Sequence, residues 1–185
     1  DMEIIGKTID DAAGEAFDKI GKIFDLDYPA GPIIDRLAKE GYPDAFTFNK
    51  PKLENYDYSF SGIKTSVLYF IQKEVRKNPD FIKENLNDLC ASVQKAIIEI
   101  LMRKLEKASK ELGIKEVAIA GGVSANSALR NAMENNREKL GWNIYIPKFE
   151  YTTDNAAMIA MVAQLKFERG EFTDLRTTAT AKYDL

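Results

Sequence analysis

Apolar residues recur at intervals of three and four in several stretches of the chain, which is the spacing of an amphipathic helix. The pattern predicts a first helix over Ile9–Phe24 with Thr8 as its N-cap, and a short second helix over Ile33–Glu40. A third helix is expected from Ser61 to Lys77, and a long fourth one from Pro79 to about Leu112. The first two thirds of the chain are therefore expected to be mainly helical.

Alternating and β-branched stretches predict strands between and after these helices. Aromatic and polar residues alternate in Phe46–Phe48 and Tyr56–Phe60, as in an edge hairpin. Two later runs, Glu116–Ala120 and Trp142–Ile146, flank a helical segment at Ser124–Lys139. A strand, a helix and a second strand in that order predict a right-handed βαβ unit with parallel strands.

The loop after the first of these parallel strands contains Gly121 and Gly122, with Ser124 or Asn126 positioned to cap the following helix. Such a turn is often a plain βα corner. It also suits a nucleotide, because glycine lets a ligand approach the backbone and the free amides of a helix N-terminus attract anions. The turn does not decide between the two interpretations.

The last predicted helix, Asn155–Phe167, is apolar on nearly all sides and is therefore expected to be buried. Asp154 precedes it and is predicted to be its N-cap. A carboxylate at that position is equally suited to coordinate a metal ion.

Composition narrows the function classes. The chain has 26 basic and 29 acidic residues and no histidine, so it offers neither an overall basic character for nucleic acid nor the usual neutral-pH base. Its one cysteine, Cys90, cannot form an internal disulfide, which favours a reducing cytoplasm. No apolar run is long enough for a membrane span, and no secretory leader is visible. Because the sequence opens abruptly at Asp1, we expect it to be part of a longer protein.

Five ordered blocks together resemble one protein family: Ile9–Lys19, Tyr28–Pro32, Tyr58–Thr65, Ala120–Asn126 and Tyr151–Ala160. It is the family of tRNA threonylcarbamoyladenosine synthesis proteins called TsaD or Gcp, formerly labelled O-sialoglycoprotein endopeptidase. The resemblance implies an α/β fold, namely the C-terminal lobe of an actin/Hsp70/sugar-kinase-like (ASKHA) protein with a helical insertion. It further implies a helical subregion at about 9–112, a βαβ nucleotide-binding core at about 113–170, and an N-terminal lobe that this chain lacks.

By the same resemblance, six residues are implied to bind substrate or nucleotide, and one aspartate is implied to bind a divalent metal ion, iron or zinc. The first set is Asp18, Gly31, Asp35, Gly121, Gly122 and Asn126, and the metal ligand is Asp154. No catalytic nucleophile is implied, and Cys90 falls on the apolar stripe of the long helix.

The resemblance implies transfer of a threonylcarbamoyl group from threonylcarbamoyl-AMP to N6 of adenosine 37 in tRNA, with this chain inactive when alone. The implied partners are tRNA, a paralogous ASKHA protein and an ATPase, without a membrane. Two other classes stay open, a metal-dependent glycoprotease and a non-catalytic ASKHA-type scaffold.

Overall fold

The computed structural model describes residues 3–178. Within them the chain forms seven α-helices, two β-strands and two short 3-10 turns. The helices are α1 (Ala13–Ile23), α2 (Ala30–Ala38), α3 (Ser61–Val75), α4 (Phe81–Glu84), α5 (Leu86–Leu112), α6 (Ser127–Leu140) and α7 (Ala156–Glu168). The strands are β1 (Glu116–Ala118) and β2 (Asn143–Tyr145), and the 3-10 turns are Gly122–Ala125 and Phe149–Tyr151.

The βαβ unit predicted from the sequence is confirmed, with shorter strands. β1 and β2 pair in parallel, with Val117 opposite Ile144, and α6 connects them. The backbone N–H of Ile119 donates to Tyr145 O at 3.1 Å, which extends the pairing toward the glycine turn. The carboxyl end of β1 therefore leads directly into Gly121 and Gly122.

The predicted start of the first helix is wrong by four residues, because the segment before α1 pairs elsewhere. Thr8 forms an isolated parallel bridge with Tyr58 and caps nothing. Asp10 Oδ1 accepts from the backbone N–H groups of Phe60 and Ser61 at 2.8 and 3.2 Å, so it caps α3 across fifty residues. Burial raises the pKa of Asp10, but hydrogen bonds from Ser59, Phe60 and Ser61 outweigh burial and hold the pKa below its usual value.

The two strands predicted in the aromatic stretches at 46–48 and 56–60 are also wrong. Of these residues, only Tyr58 takes part in a β-bridge. Phe46 and Phe48 instead pack their rings against Phe70 of α3, with centroid distances of 5.2 and 5.7 Å. The alternation reflects side chains that enter a helical core from a loop rather than one face of a sheet.

Helix α5 contributes residues to both hydrophobic cores. The predicted long helix is interrupted at Asn85, which separates the single turn of α4 from the 27 residues of α5. Leu89 and Ile97 belong to a core shared with α1, α2 and α3, whereas Ile98 and Met102 belong to a second core with β1 and α6. The two hydrophobic cores are therefore joined through opposite faces of one helix.

Helix α7 is exposed, although its sequence predicted burial. Every residue from Ala156 to Glu168 is exposed, so the predicted burial is wrong in this structure. Its N-cap is Asn155, whose side chain accepts from Met158 N at 3.0 Å, and not Asp154 as predicted. Among residues 3–178, no helix is both long and apolar enough to span a lipid bilayer.

Candidate functional site

The turn after β1 presents open backbone. Gly121 has φ 77°, in the left-handed region that favours glycine, and its carbonyl accepts from Ser124 N at 3.0 Å. A Cβ added at Gly121 or Gly122 would meet no atom within 4 Å. Gly121 is therefore required by its backbone conformation, and the space beside both Gly121 and Gly122 is open. A ligand could approach the backbone closely at either residue.

Asn126 is the N-cap of α6, which decides between the two capping residues left open by the sequence. Its Oδ1 accepts from Leu129 N at 3.1 Å, and its Nδ2 donates to Gln94 Oε1 of α5 at 2.7 Å. The side chain is only 7% exposed. Asn126 therefore both satisfies the first turn of α6 and holds the glycine turn against α5.

Arg130 is a residue at this site that the sequence did not single out. Its Nε donates to Ser124 O at 2.7 Å and its Nη2 to Pro147 O at 2.8 Å, while its guanidinium lies 4.2 Å from the centroid of the Phe149 ring. It joins the glycine turn to the loop after β2. Its spacing of four residues from the N-cap Asn126, which places it one helical turn into α6, is the signal by which it could have been found.

Asp18 and Gly31 meet where α1 and α2 join. Asp18 Oδ1 accepts from Ala30 N at 2.8 Å, so this carboxylate caps the start of α2. Gly31 lies in the first turn of α2 rather than in a connecting loop, and a Cβ there would lie 3.9 Å from Phe17 Cβ. Part of the stretch read as a turn, Tyr28–Pro32, is therefore helical from Ala30 onward.

Asp35 connects this junction to the glycine turn. Its Oδ1 accepts from Ser127 N at 3.1 Å and from Ser127 Oγ at 2.7 Å, at the N-terminus of α6. Helix α1 also approaches the turn, since a Cβ at Gly14 would lie 3.5 Å from Val123 Cγ2. The structure thus brings α1, α2 and the glycine turn together, and with them the six residues implied to bind substrate.

The residue buried deepest in the turn has a free polar atom. Ser124 is 1% exposed, and its Oγ has no hydrogen-bond partner among the described residues. Asp11 Oδ2 is also buried without a hydrogen-bond partner among the described residues, although Asp11 Oδ1 pairs with Lys19 at 2.7 Å. Buried polar atoms are usually satisfied, so these two are available to a water molecule or a ligand.

Asp154 is exposed. The described part of the chain contains no group of three or more His, Cys, Asp or Glu side chains placed to hold a metal ion. Asp154 alone does not make a metal site, because divalent ions take several protein ligands or waters. The described residues therefore do not form a complete metal centre.

Cys90 offers no nucleophile. It is buried in the first core, and burial raises the pKa of its thiol to about 12. The thiol is thus protonated near neutral pH, whereas a reactive cysteine depends on its thiolate.

These features define a mixed α/β protein in which a glycine turn follows a parallel strand and leads into the capped N-terminus of α6, with α1 and α2 in contact with this region. In open α/β sheets, this edge is where ligands bind.

Comparison with known sequences identifies the family. Residues 1–161 match the family model of TsaD, tRNA N6-adenosine threonylcarbamoyltransferase, and the chain belongs to this family. A protein of that name from Riemerella anatipestifer is 83% identical over 185 residues, which is 100% of this chain and 54% of the relative.

Two further relatives carry the same name. The one from Christiangramia forsetii is 56% identical over 98% of this chain and 54% of its own length. The one from Porphyromonas gingivalis is 56% identical over 93% of this chain and 50% of its own length. The chain spans about half the length of these relatives.

Proposed function

We propose that this chain supplies one wall of the nucleotide site of a tRNA N6-adenosine threonylcarbamoyltransferase. The observation that carries the proposal is the convergence of α1, α2 and the glycine turn in a chain that matches this family over residues 1–161. The wider arrangement that we propose is the two-lobed ASKHA fold, in which this chain is the C-terminal lobe.

In the proposed reaction, the N6 amine of adenosine 37 attacks the threonylcarbamoyl carbonyl of threonylcarbamoyl-AMP. A C–N bond forms, the bond from that carbonyl to the phosphate oxygen breaks, AMP leaves with the bonding pair, and the amine loses a proton. Such a transfer gains most of its rate from holding both reactants in place, and it needs no covalent enzyme intermediate. The buried, protonated Cys90 is consistent with that.

The described residues act in this proposal by binding and orienting the adenylate. The open turn at Gly121 and Gly122 presents backbone to the nucleotide, and the N-terminus of α6 provides a favourable field for its phosphate. Asp18 and Asp35 lie at the ribose side. Each uses Oδ1 to cap a helix, and in neither is Oδ2 hydrogen-bonded within residues 3–178.

We further propose Asp154 as one ligand of a divalent ion whose other ligands lie outside this chain. The partners we propose are tRNA, a paralogous ASKHA protein and an ATPase, and the compartment we propose is the cytoplasm, where the lone Cys90 stays reduced.

Asp18 has a structural role besides the proposed contact with ribose, because it caps α2. Asp18→Ala would remove both the cap of α2 and any contact with ribose, whereas Asp18→Asn keeps an oxygen for Ala30 N and removes only the charge. The protein to use is a chimera in which this chain replaces the matching 54% of the Riemerella anatipestifer relative.

For Asp18→Asn in this chimera, calorimetry with a non-hydrolysable threonylcarbamoyl-AMP analogue should show binding about tenfold weaker, as expected for the loss of one charge-assisted hydrogen bond. Thermal unfolding without ligand should change little, because the cap of α2 is retained. An unchanged affinity would contradict the role of Asp18 at the ribose.

A further inference from the structure

A groove with a volume of about 880 Å³ runs between residues 48–52 and the second half of α5. Half of its lining side chains are cationic: Lys50, Lys52, Arg103, Lys107 and Lys110. This concentration of positive charge occurs in a chain whose net charge is −3. The sequence shows Arg103, Lys104, Lys107 and Lys110 only as a basic stretch of α5, and the fold adds Lys50 and Lys52 from the facing segment.

The groove is preformed, because α5 holds its opposite wall in place. Arg103 Nη2 donates to Pro51 O at 2.7 Å. The buried ammonium group of Lys104 donates to the carbonyl oxygens of Leu53, Glu54 and Asn55 at 2.6, 3.0 and 2.7 Å. A ligand entering the groove would thus meet walls that are already ordered, which lowers the entropic cost of binding.

The carboxylates in the groove are already engaged. Glu99 pairs with Lys50 and with Lys95, and Glu106 accepts from Asn136 Nδ2 at 2.9 Å. Within residues 3–178, Lys52 and Lys110 have no carboxylate within 4 Å, and both are exposed. The groove therefore has unneutralised positive charge.

The local electrostatics agree with this distribution of charge. The pKa of Lys104 is lowered, first by burial and then by the positive charges of Lys107 and Arg103. Burial alone would lower this pKa, and the further lowering by Lys107 and Arg103 is what a positive potential along this side of α5 produces.

The cations are arranged in a row. Arg103, Lys107 and Lys110 lie one turn apart along α5 and cover about 10 Å of its axis. The two apolar lining residues, Phe48 and Met102, are 2% and 6% exposed, so they offer little to an apolar partner. Protein interfaces centre on apolar and aromatic anchors, whereas nucleic-acid interfaces are strongly positive.

We propose that this groove binds the phosphate backbone of the tRNA substrate at a distance from the reacting adenosine. The tRNA identity rests on the proposed function, while the groove's preference for a polyanionic strand rests on its charges and shape. Glu99 also lines a smaller groove with Gln94 and Ala128, beside the capped start of α6. The two grooves therefore share Glu99 as a lining residue.

The test is tRNA binding by this chain, measured by fluorescence anisotropy over a series of salt concentrations. Lys52→Glu combined with Lys110→Glu should weaken binding at least about tenfold near 0.1 M salt and reduce the slope of log affinity against log salt by nearly 2. The matched control is Lys73→Glu with Lys83→Glu, which changes two exposed helical lysines outside the groove by the same charge. It should change the affinity less than about twofold, since it removes no phosphate contact.

Equal losses in the two double variants, or no tRNA binding by the unaltered chain, would overturn the proposal. Groove-dependent binding of poly-glutamate as tight as that of tRNA would overturn the assignment to nucleic acid. The tRNA-binding assay needs no adenylate, so a negative result there does not affect the calorimetric test of Asp18. In the same way, a negative calorimetric result does not affect the salt dependence of tRNA binding.

Discussion

Helices α5 and α7 are both rich in apolar residues, yet they differ completely in environment. In α5 one set of residues packs into the first core and another into the second, while its remaining face carries charges. In α7 the apolar residues are distributed all round, and all thirteen residues are exposed. Periodicity shows which face of a helix will be buried, whereas apolarity without periodicity shows only that a helix needs a covering surface.

The same contrast holds for the candidate site residues: some are held by hydrogen bonds within the described residues, and others are exposed. The junction of α1, α2 and α6 is closed by hydrogen bonds that Asp18 and Asp35 accept, and Gln94 of α5 accepts a further one from Asn126. Asp154 and α7 have no such support within the described residues. The helical region and the glycine turn are thus organised by this chain itself.

The largest expected effect compares two isoleucines, one in each helix. Ile97→Ala in α5 should lower the free energy of unfolding by about 2–5 kcal/mol, because a fully buried side chain leaves a cavity. Ile159→Ala in α7, where the side chain is 66% exposed, should change it by less than about 0.5 kcal/mol.

Urea unfolding of both variants, followed by circular dichroism, measures this difference. Similar losses for Ile97 and Ile159 would mean that α7 is packed in solution, and the contrast between the two helices would then be wrong.

A smaller effect is expected at the N-caps of α6 and α7. Asn126→Ala removes the cap of α6 and leaves Gln94 Oε1 buried without its donor, so it should cost about 2–3 kcal/mol. Asn155→Ala removes a single hydrogen bond at the exposed start of α7 and should cost about 1 kcal/mol or less.

Gln94→Leu in the Asn126→Ala background provides the control for this comparison. It removes the unpaired acceptor and should recover part of the lost stability if the buried pair is the cause. Thermal unfolding of the single and double variants gives the coupling, and additive losses would contradict the role assigned to the Asn126–Gln94 pair.

Local patterns predicted the elements whose formation depends on neighbouring residues. The helix from Ser61 and the parallel strands follow from helical spacing and β-branched runs, whereas capping chemistry left Ser124 and Asn126 as alternative caps of α6. The start of α1 was misplaced because Asp10 caps a helix fifty residues away, a contact that no local pattern contains. The strands expected around Phe46 and Tyr58 failed for a similar reason, since a helical core selects the same aromatic residues.

The resemblance supplied the candidate site residues, but not their hydrogen bonds or their positions relative to one another. The resemblance named Asp18 and Asp35, and the structure shows that each also caps a helix, which spacing along the chain does not reveal. Arg130 was missed because its two acceptors are backbone carbonyls, Ser124 O and Pro147 O, whose positions depend on the fold. The position of Lys50 and Lys52 in the same groove as the cations of α5 was hidden in the same way.

The most direct measurement is threonylcarbamoyl transfer by the chimera with the Riemerella anatipestifer relative. tRNA from cells that carry the chimera in place of the relative should contain threonylcarbamoyladenosine, and cells carrying only this 185-residue chain should lack it. The Asp154→Ala chimera should lose the modification while remaining folded. Modified tRNA in cells with this chain alone, or none in cells with a folded chimera, would contradict the account that this chain forms one wall of the site.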